Sequence, residues 1–348
     1  MKIDWKTFLE EAGAEIANDR VAHFGNPVRE QKVTLSGLVF ADLGHLGVIA
    51  AHGADAESFL QSQLGNDVGQ VNESTSQLTS YSTPKGRMLG LMRLFRQGDT
   101  WYLRLPGDTL EAVIQRLRMF VMRADVTLED VSDNFIAIGV SGEQAGAELA
   151  GVTGSVPGAV DAVTHAADIS VLRVPGIQPR YEVYISSQDA AQRVWDSLNV
   201  RGAPVGESAW RLLEIYAGLP TIFAATSESF VAQMANLQLL NGVSFKKGCY
   251  PGQEIVARMQ YLGTLKRRMY RGVIDTEQAI NPGDPLFGSD NSEQAIGRIV
   301  DAQPHPDGGQ VALAVLQIKS AESGDLHLGS AEGPVMLLES LPYAFTDD

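Results

Sequence analysis

Phe245-Lys246-Lys247-Gly248-Cys249-Tyr250-Pro251-Gly252-Gln253-Glu254 holds the only cysteine among 348 residues, and the rest of the chain is read from it. Two lysines precede the thiol, glycines stand on both sides, and Pro251 opens a segment that reads as a helix over 253–259. Cationic neighbours and a helix start both favour negative charge, and so the thiolate form of a cysteine. Gly248 and Gly252 permit tight backbone geometry or the close approach of another group, and proline suits a first helical position. A cysteine that merely fills a gap in a core needs none of these neighbours. The stretch therefore reads as a reactive or ligand-gripping site, with Cys249 and Lys247 as its catalytic pair.

Lys247-Gly248-Cys249-Tyr250-Pro251-Gly252-Gln253-Glu254 resembles the Lys-Gly-Cys-Tyr-x-Gly-Gln-Glu signature of the YgfZ family. These are folate-binding proteins of iron–sulfur cluster assembly and repair, related in fold to the aminomethyltransferase (T-protein) of the glycine cleavage system. The resemblance runs outward through Gln233-Met234-Ala235-Asn236-Leu237, Asn241-Gly242-Val243-Ser244-Phe245 and Ala257-Arg258. It also covers Gly53-Ala54-Asp55-Ala56, Phe59-Leu60-Gln61-Ser62-Gln63, Asn66-Asp67-Val68 and Pro84-Lys85-Gly86-Arg87. It implies an α+β, T-protein-like fold of several domains around a central folate cavity, with a C-terminal antiparallel β-barrel. The cofactor it implies is tetrahydrofolate or a one-carbon derivative, bound by Trp210, Arg87, Asp67, Gln233, Asn236, Tyr250, Gln253, Glu254 and Arg258. It implies iron–sulfur client or assembly proteins as partners, including enzymes that modify tRNA.

Composition sets outer limits. At 44% hydrophobic and 20% charged residues the chain has the make-up of an ordinary globular protein of two or three domains. One cysteine excludes an intrachain disulfide, and equally a zinc or iron–sulfur site made from the thiolates of one chain, so no permanently bound metal is expected. The N-terminal residues 1–11 are acidic and amphipathic, unlike a secretory or transit peptide, and no apolar run reaches membrane-spanning length. A reducing cytoplasm is the expected compartment. The net charge of −15 disfavours direct nucleic-acid binding. Between Lys246 and Arg271, however, seven basic residues face Glu254 alone. That patch suits a polyglutamate tail, a carboxylate or RNA, or is simply a solvated turn.

Periodicity places the remaining elements. Trp5, Phe8, Leu9, Ala12 and Ile16 predict an amphipathic helix over 4–18. Strands are expected at 37–41 and 46–50, then a helix capped by Asp55 with Phe59, Leu60 and Leu64 inward. A strand–turn–strand unit surrounds Pro84-Lys85-Gly86, and a helix over 109–121 carries Leu110, Val113, Ile114, Leu117, Phe120 and Val121. Three units are expected: a discontinuous folate-binding domain of 1–130 with 205–264, a compact ferredoxin-like α+β domain of 131–204, and the barrel of 265–348. On the helix from Gly206 to Ala217, Trp210 reads two ways. It is a core residue, or a flat indole face for a pteridine ring.

The function stays open between two classes. A T-protein orients its folate with carboxylates from a Gly-x-x-x-Asp-Asp segment, by resemblance; the matching positions here are Gly90 and Leu91, which have no acceptor. That favours a folate-binding accessory protein for iron–sulfur enzymes over the alternative, a folate-dependent aminomethyl or methyl transferase or demethylase. A cysteine hydrolase would need a histidine base, and none of the six histidines lies in motif with Cys249. His45 and His52 read as exposed loop residues.

Overall fold

The structure, a computed structural model, describes residues 2–289 and 294–345. Its centre is the helix Glu207–Tyr216, which carries apolar side chains on two sides. Ala209, Trp210 and Leu213 pack against Val39 and Ala41 of one sheet. Leu212 and Ile215 pack against Met88 and Leu91 of another sheet and Val300, Leu313 and Val315 of the C-terminal sheet. The residues left between those sides, Glu207, Arg211 and Glu214, recur at i, i+4 and i+7 and so share one polar face.

The first sheet is antiparallel, in the spatial order Gln77–Ser82, Met88–Gln97, Thr100–Pro106, Leu46–His52, Thr127–Asp130. Side chains alternate across it. Ile49, Met92, Leu94, Leu103 and Leu105 face the helices Ala56–Gln63 and Gly107–Val121. Val48 and Phe95 face Leu172, Val174 and Tyr184 of the neighbouring sheet. Burial on both faces explains why these strands read as continuous apolar runs. On the helix Gly107–Val121, Leu110, Val113, Ile114 and Leu117 are buried, whereas Phe120, expected inward, is exposed.

The second sheet takes Val163–Ala166, Ile169–Val174, Arg180–Ile185 and Ile136–Ser141 from the expected 131–204 unit. It continues without a break into Val39–Asp42, antiparallel, and Ala203–Val205, parallel to that strand. The hydrogen-bond ladder thus crosses the boundary expected at residue 130. The N-terminal helix joins this sheet too, with Trp5 set edge-on to Trp195 at 5.7 Å. That helix spans Ile3–Glu11 rather than 4–18. Gly13, at φ +95°, takes the chain out of the helix, and Glu15–Ala17 pairs with Arg20–His23 in a hairpin turned by Asn18 and Asp19, both at positive φ. Ile16 is therefore a strand residue whose spacing from Ala12 mimicked a helix.

The C-terminal sheet is antiparallel and curled, with strands Arg267–Ile274, Pro285–Phe287, Gly297–Pro304, Gln310–Gln317, His327–Leu328 and Met336–Glu339. Its two ends meet through a bridge between His327 and Val335. Tyr343 fastens the sheet to the central helix: its hydroxyl donates to the Gly218 carbonyl at 2.8 Å, over a glycine whose Cβ would lie 2.7 Å from the ring. Among the described residues no helix is long and apolar enough to cross a membrane.

Candidate functional site

Lys247 is buried, and its ammonium donates to three carbonyls, Gln61 and Leu64 at 2.6 Å and Asn66 at 2.9 Å. These oxygens close the helix Ala56–Gln63 and the turn after it. The last carbonyls of a helix have no partner within it, and a cation there also meets the negative end of the helix dipole. Burial holds the Lys247 pKa down at about 8, against the opposite pull of the Asp67 carboxylate. Lys247 is thus a clamp on the backbone, directed away from the thiol it was expected to assist. Asp67, expected at a folate cavity, accepts from Gln61 at 2.8 Å and belongs to this same clamp.

Cys249 is exposed. Its loop is pinned on the other side by Gly252, at φ +86°, where a Cβ would fall 2.6 Å from both the Gly86 Cα and the Thr83 carbonyl. The Pro84–Gly86 turn and the cysteine loop therefore touch glycine to glycine, the close approach that their sequence allowed. Gly252 is the cap of the helix Gln253–Tyr261, so Pro251 stands outside it rather than at its first position. Tyr250 is buried under the Lys247 ammonium, 5.3 Å from the ring centre, and burial pushes its phenol up to about 12. Gln253 donates to the Lys247 carbonyl at 3.4 Å, while Glu254 and Arg258 are exposed. Gln233 holds the Val256 carbonyl at 2.6 Å, and Asn236, in left-handed conformation, holds that of Met269 at 2.9 Å. Both fix the scaffold around the loop.

A different set of residues lines the central pocket. The polar face of the Glu207–Tyr216 helix meets Arg20, His45, Arg104, Asp108, Thr221 and Phe223 there. About 20 Å³ is open to the centre of a water molecule, room for roughly one water. The charges around it are paired. Arg104 forks onto the buried Glu182, Arg211 onto the buried Asp301, and Arg20 reaches Glu207 at 3.3 Å. Glu214 accepts from Thr221 at 3.4 Å, and Arg211 lies 4.6 Å over the Phe223 ring. Sequence reading missed this stripe, although charges at i, i+4 and i+7 in an otherwise apolar helix were a usable signal.

Three expectations are corrected by these positions. Trp210 is fully buried with its ring against Gly139 and under the buried Arg180 guanidinium, 5.3 Å away, so it has no face open to the pocket. Arg87 donates to the Ser229 carbonyl at 2.6 Å and is absent from the pocket lining, as is Cys249. His45 is buried in the pocket wall rather than exposed. Gly90, facing Val113, and Leu91, packed with Leu212 and Ile215, are both buried and offer no side-chain acceptor. Among the described residues, no group of three or more His, Cys, Asp or Glu converges to hold a metal ion.

Burial, then the Arg211, Arg20 and Arg104 charges, hold the His45 pKa well below 6.5. The unfolded chain, titrating at the ordinary value, takes up a proton that the folded state refuses. Stability is therefore lost as pH falls, by about 1 kcal/mol between pH 6.5 and 5.5. Urea melts of His45→Gln are expected to lack that slope; an unchanged slope would assign it to other groups.

Residues 8–247 match the GCVT N-terminal domain family. The chain is 32% identical to the tRNA-modifying protein YgfZ of Colwellia psychrerythraea, over 87% of this chain and 92% of the relative. It is 29% identical to the protein of that name from Escherichia coli O7:K1, over 85% and 90% of the two chains. The crystal structure of glycine cleavage system aminomethyltransferase T from Bartonella henselae superposes with a TM-score of 0.79 at 19% identity, covering 98% of this chain and 97% of that one. That likeness establishes the T-protein-like fold. With a domain match across most of its length and full-length relatives at this identity, the chain belongs to the YgfZ family within the GCVT-domain proteins.

Proposed function

We propose that the protein binds a reduced folate at the central pocket and, through Cys249, supports iron–sulfur enzymes that modify tRNA, in the cytoplasm. The tRNA part of this reading is supported by the likeness to tRNA-modifying relatives. The folate part rests on the donor set of the pocket. A pterin presents an N–H and an amino group side by side, which one carboxylate accepts together, and Glu214 and Glu207 supply carboxylates on one helix face. Phe223 offers an aromatic surface, and Arg20 a cation for the glutamate end of the ligand. The residues fit the group, while the space now open is that of about one water, so binding requires the pocket to widen. Bound folate supplies one-carbon carrying capacity, and this chain's residues orient it and exclude water.

The observation that carries the accessory reading over a transferase is the pair Gly90 and Leu91, buried and without acceptors where a T-protein-type carboxylate pair would stand. Calorimetric titration with tetrahydrofolate tests the whole. Binding by the wild type is expected, weakened about 10- to 100-fold in Glu214→Gln, the cost of a lost charge-assisted hydrogen bond. No binding at millimolar ligand would remove folate from the account. Turnover of an N-methyl or aminomethyl donor would instead establish the transferase.

A further inference from the structure

A second concentration of charge lies where the Pro84–Arg87 turn meets the C-terminal sheet. Strand register places its members. Arg267 is two residues from Met269, Met269 pairs with Val315, and Val315 pairs with Arg298. Paired residues and residues two apart share a face, so Arg267 and Arg298 project together, about 12 Å apart at ordinary strand spacing. Arg87 arrives from the first sheet through its bridge to Val231. Its charge and that of Arg298 help to hold the Arg267 pKa down, after burial.

Among the described residues no carboxylate balances this group. Among the described residues none of the three forms an ion pair; Arg87 and Arg298 donate only to the carbonyls of Ser229 and Gly283, at 2.6 and 2.9 Å. In a chain with 42 acidic residues against 27 basic ones, a counter-charge was easy to supply. Three like charges gathered without one destabilise the free protein and favour an incoming anion. The strip also continues beyond them. The Gly86–Gly252 contact joins the turn to the cysteine loop, with Lys85, Lys246, Arg258 and Lys266 exposed nearby in the chain. At the far end of the helix Gln253–Tyr261, Tyr261 is 66% exposed, its ring edge-on to Phe245.

We propose that this seam is a docking surface for the phosphodiester backbone of RNA, and that it lays the strand alongside Cys249. Separated guanidiniums suit repeating phosphates better than one compact carboxylate. The overall charge of −15 opposes non-specific binding of RNA, and this local cationic seam acts against that background. The net charge repels RNA elsewhere on the surface, and makes binding local and salt-dependent. The inference rests on the tRNA-directed reading above.

Fluorescence anisotropy of a labelled, unmodified tRNA transcript tests it. Three phosphate contacts give a slope of about −2 in log K against log salt, so binding is expected to weaken about 16-fold from 50 to 200 mM KCl. Arg267→Gln/Arg298→Gln is expected to flatten the slope to about −0.7 and to lose at least tenfold in affinity at 50 mM, while Arg267→Lys/Arg298→Lys keeps the slope. The Lys variant should melt with the wild type and the Gln variant no lower, since among the described residues neither side chain has an ion-pair partner and two like charges are removed. Absence of tRNA binding at 50 mM, an unchanged slope in the Gln variant, or equal competition by poly-glutamate would overturn the proposal. Should tRNA modification still fail in a deletion strain, the broader function would survive that loss.

Discussion

Lys247→Met is expected to lower the unfolding free energy by about 3 kcal/mol, one of the two largest effects foreseen for a single substitution in this protein. The methionine fills a similar volume but donates nothing. The carbonyls of Gln61, Leu64 and Asn66 then lose their shared donor in a place where water enters poorly, Lys247 being 8% exposed. Each orphaned buried acceptor costs about 1–3 kcal/mol, reduced where water or backbone relaxation compensates. Loss of the cation at the helix end adds a fraction more. Lys247→Arg should recover only part, because a planar fork cannot converge on three oxygens as an ammonium can. Urea unfolding reads the effect. A change under 0.5 kcal/mol would mean the three contacts are individually worthless. Folate affinity, measured well below the transition, should stay within about twofold, as the clamp and the central pocket share no residue.

Cys249→Ala should behave in the opposite way. The thiol is exposed, so stability is expected to move by less than about 0.5 kcal/mol. Activity of iron–sulfur-dependent tRNA modification in cells is nonetheless expected to fall to that of a deletion strain, with folate binding retained. Full activity in such a strain would end any role for the sulfur. The two substitutions, two residues apart, thus separate a residue that builds the loop from one that the loop presents. A cellular phenotype alone would not distinguish them; the melt does.

The cysteine loop shows how far sequence reading went. Gly252 announced close backbone approach, and its contact with Gly86 is such an approach, whereas a Cβ at Gly248 would meet nothing within 4 Å. The lysines announced charge, but not its direction. The position of Lys247 beside Cys249 in the chain suggested assistance to the thiol, whereas its side chain crosses to a helix end more than 180 residues earlier. Trp210 failed for a related reason. Its neighbours in sequence cannot say that Gly139, from another sheet, leaves a slot which the indole fills. Ile16 misled because Ala12 and Ile16 keep helical spacing across the glycine that ends the helix.

Local order alone specified the apolar strands of the first sheet, the inward residues Leu110, Val113, Ile114 and Leu117 of one helix, and a lone sulfur framed by glycines. Spacing along a chain dictates which side chains share a face, and that is enough for such features. Which faces meet is a matter of long-range packing. Only the assembled fold turned the polar edge of the central helix into a pocket, aimed Lys247 at three carbonyls, and brought Arg87 to Arg267 and Arg298. Charges find partners by distance in space, and distance in space is what a linear order of residues does not encode.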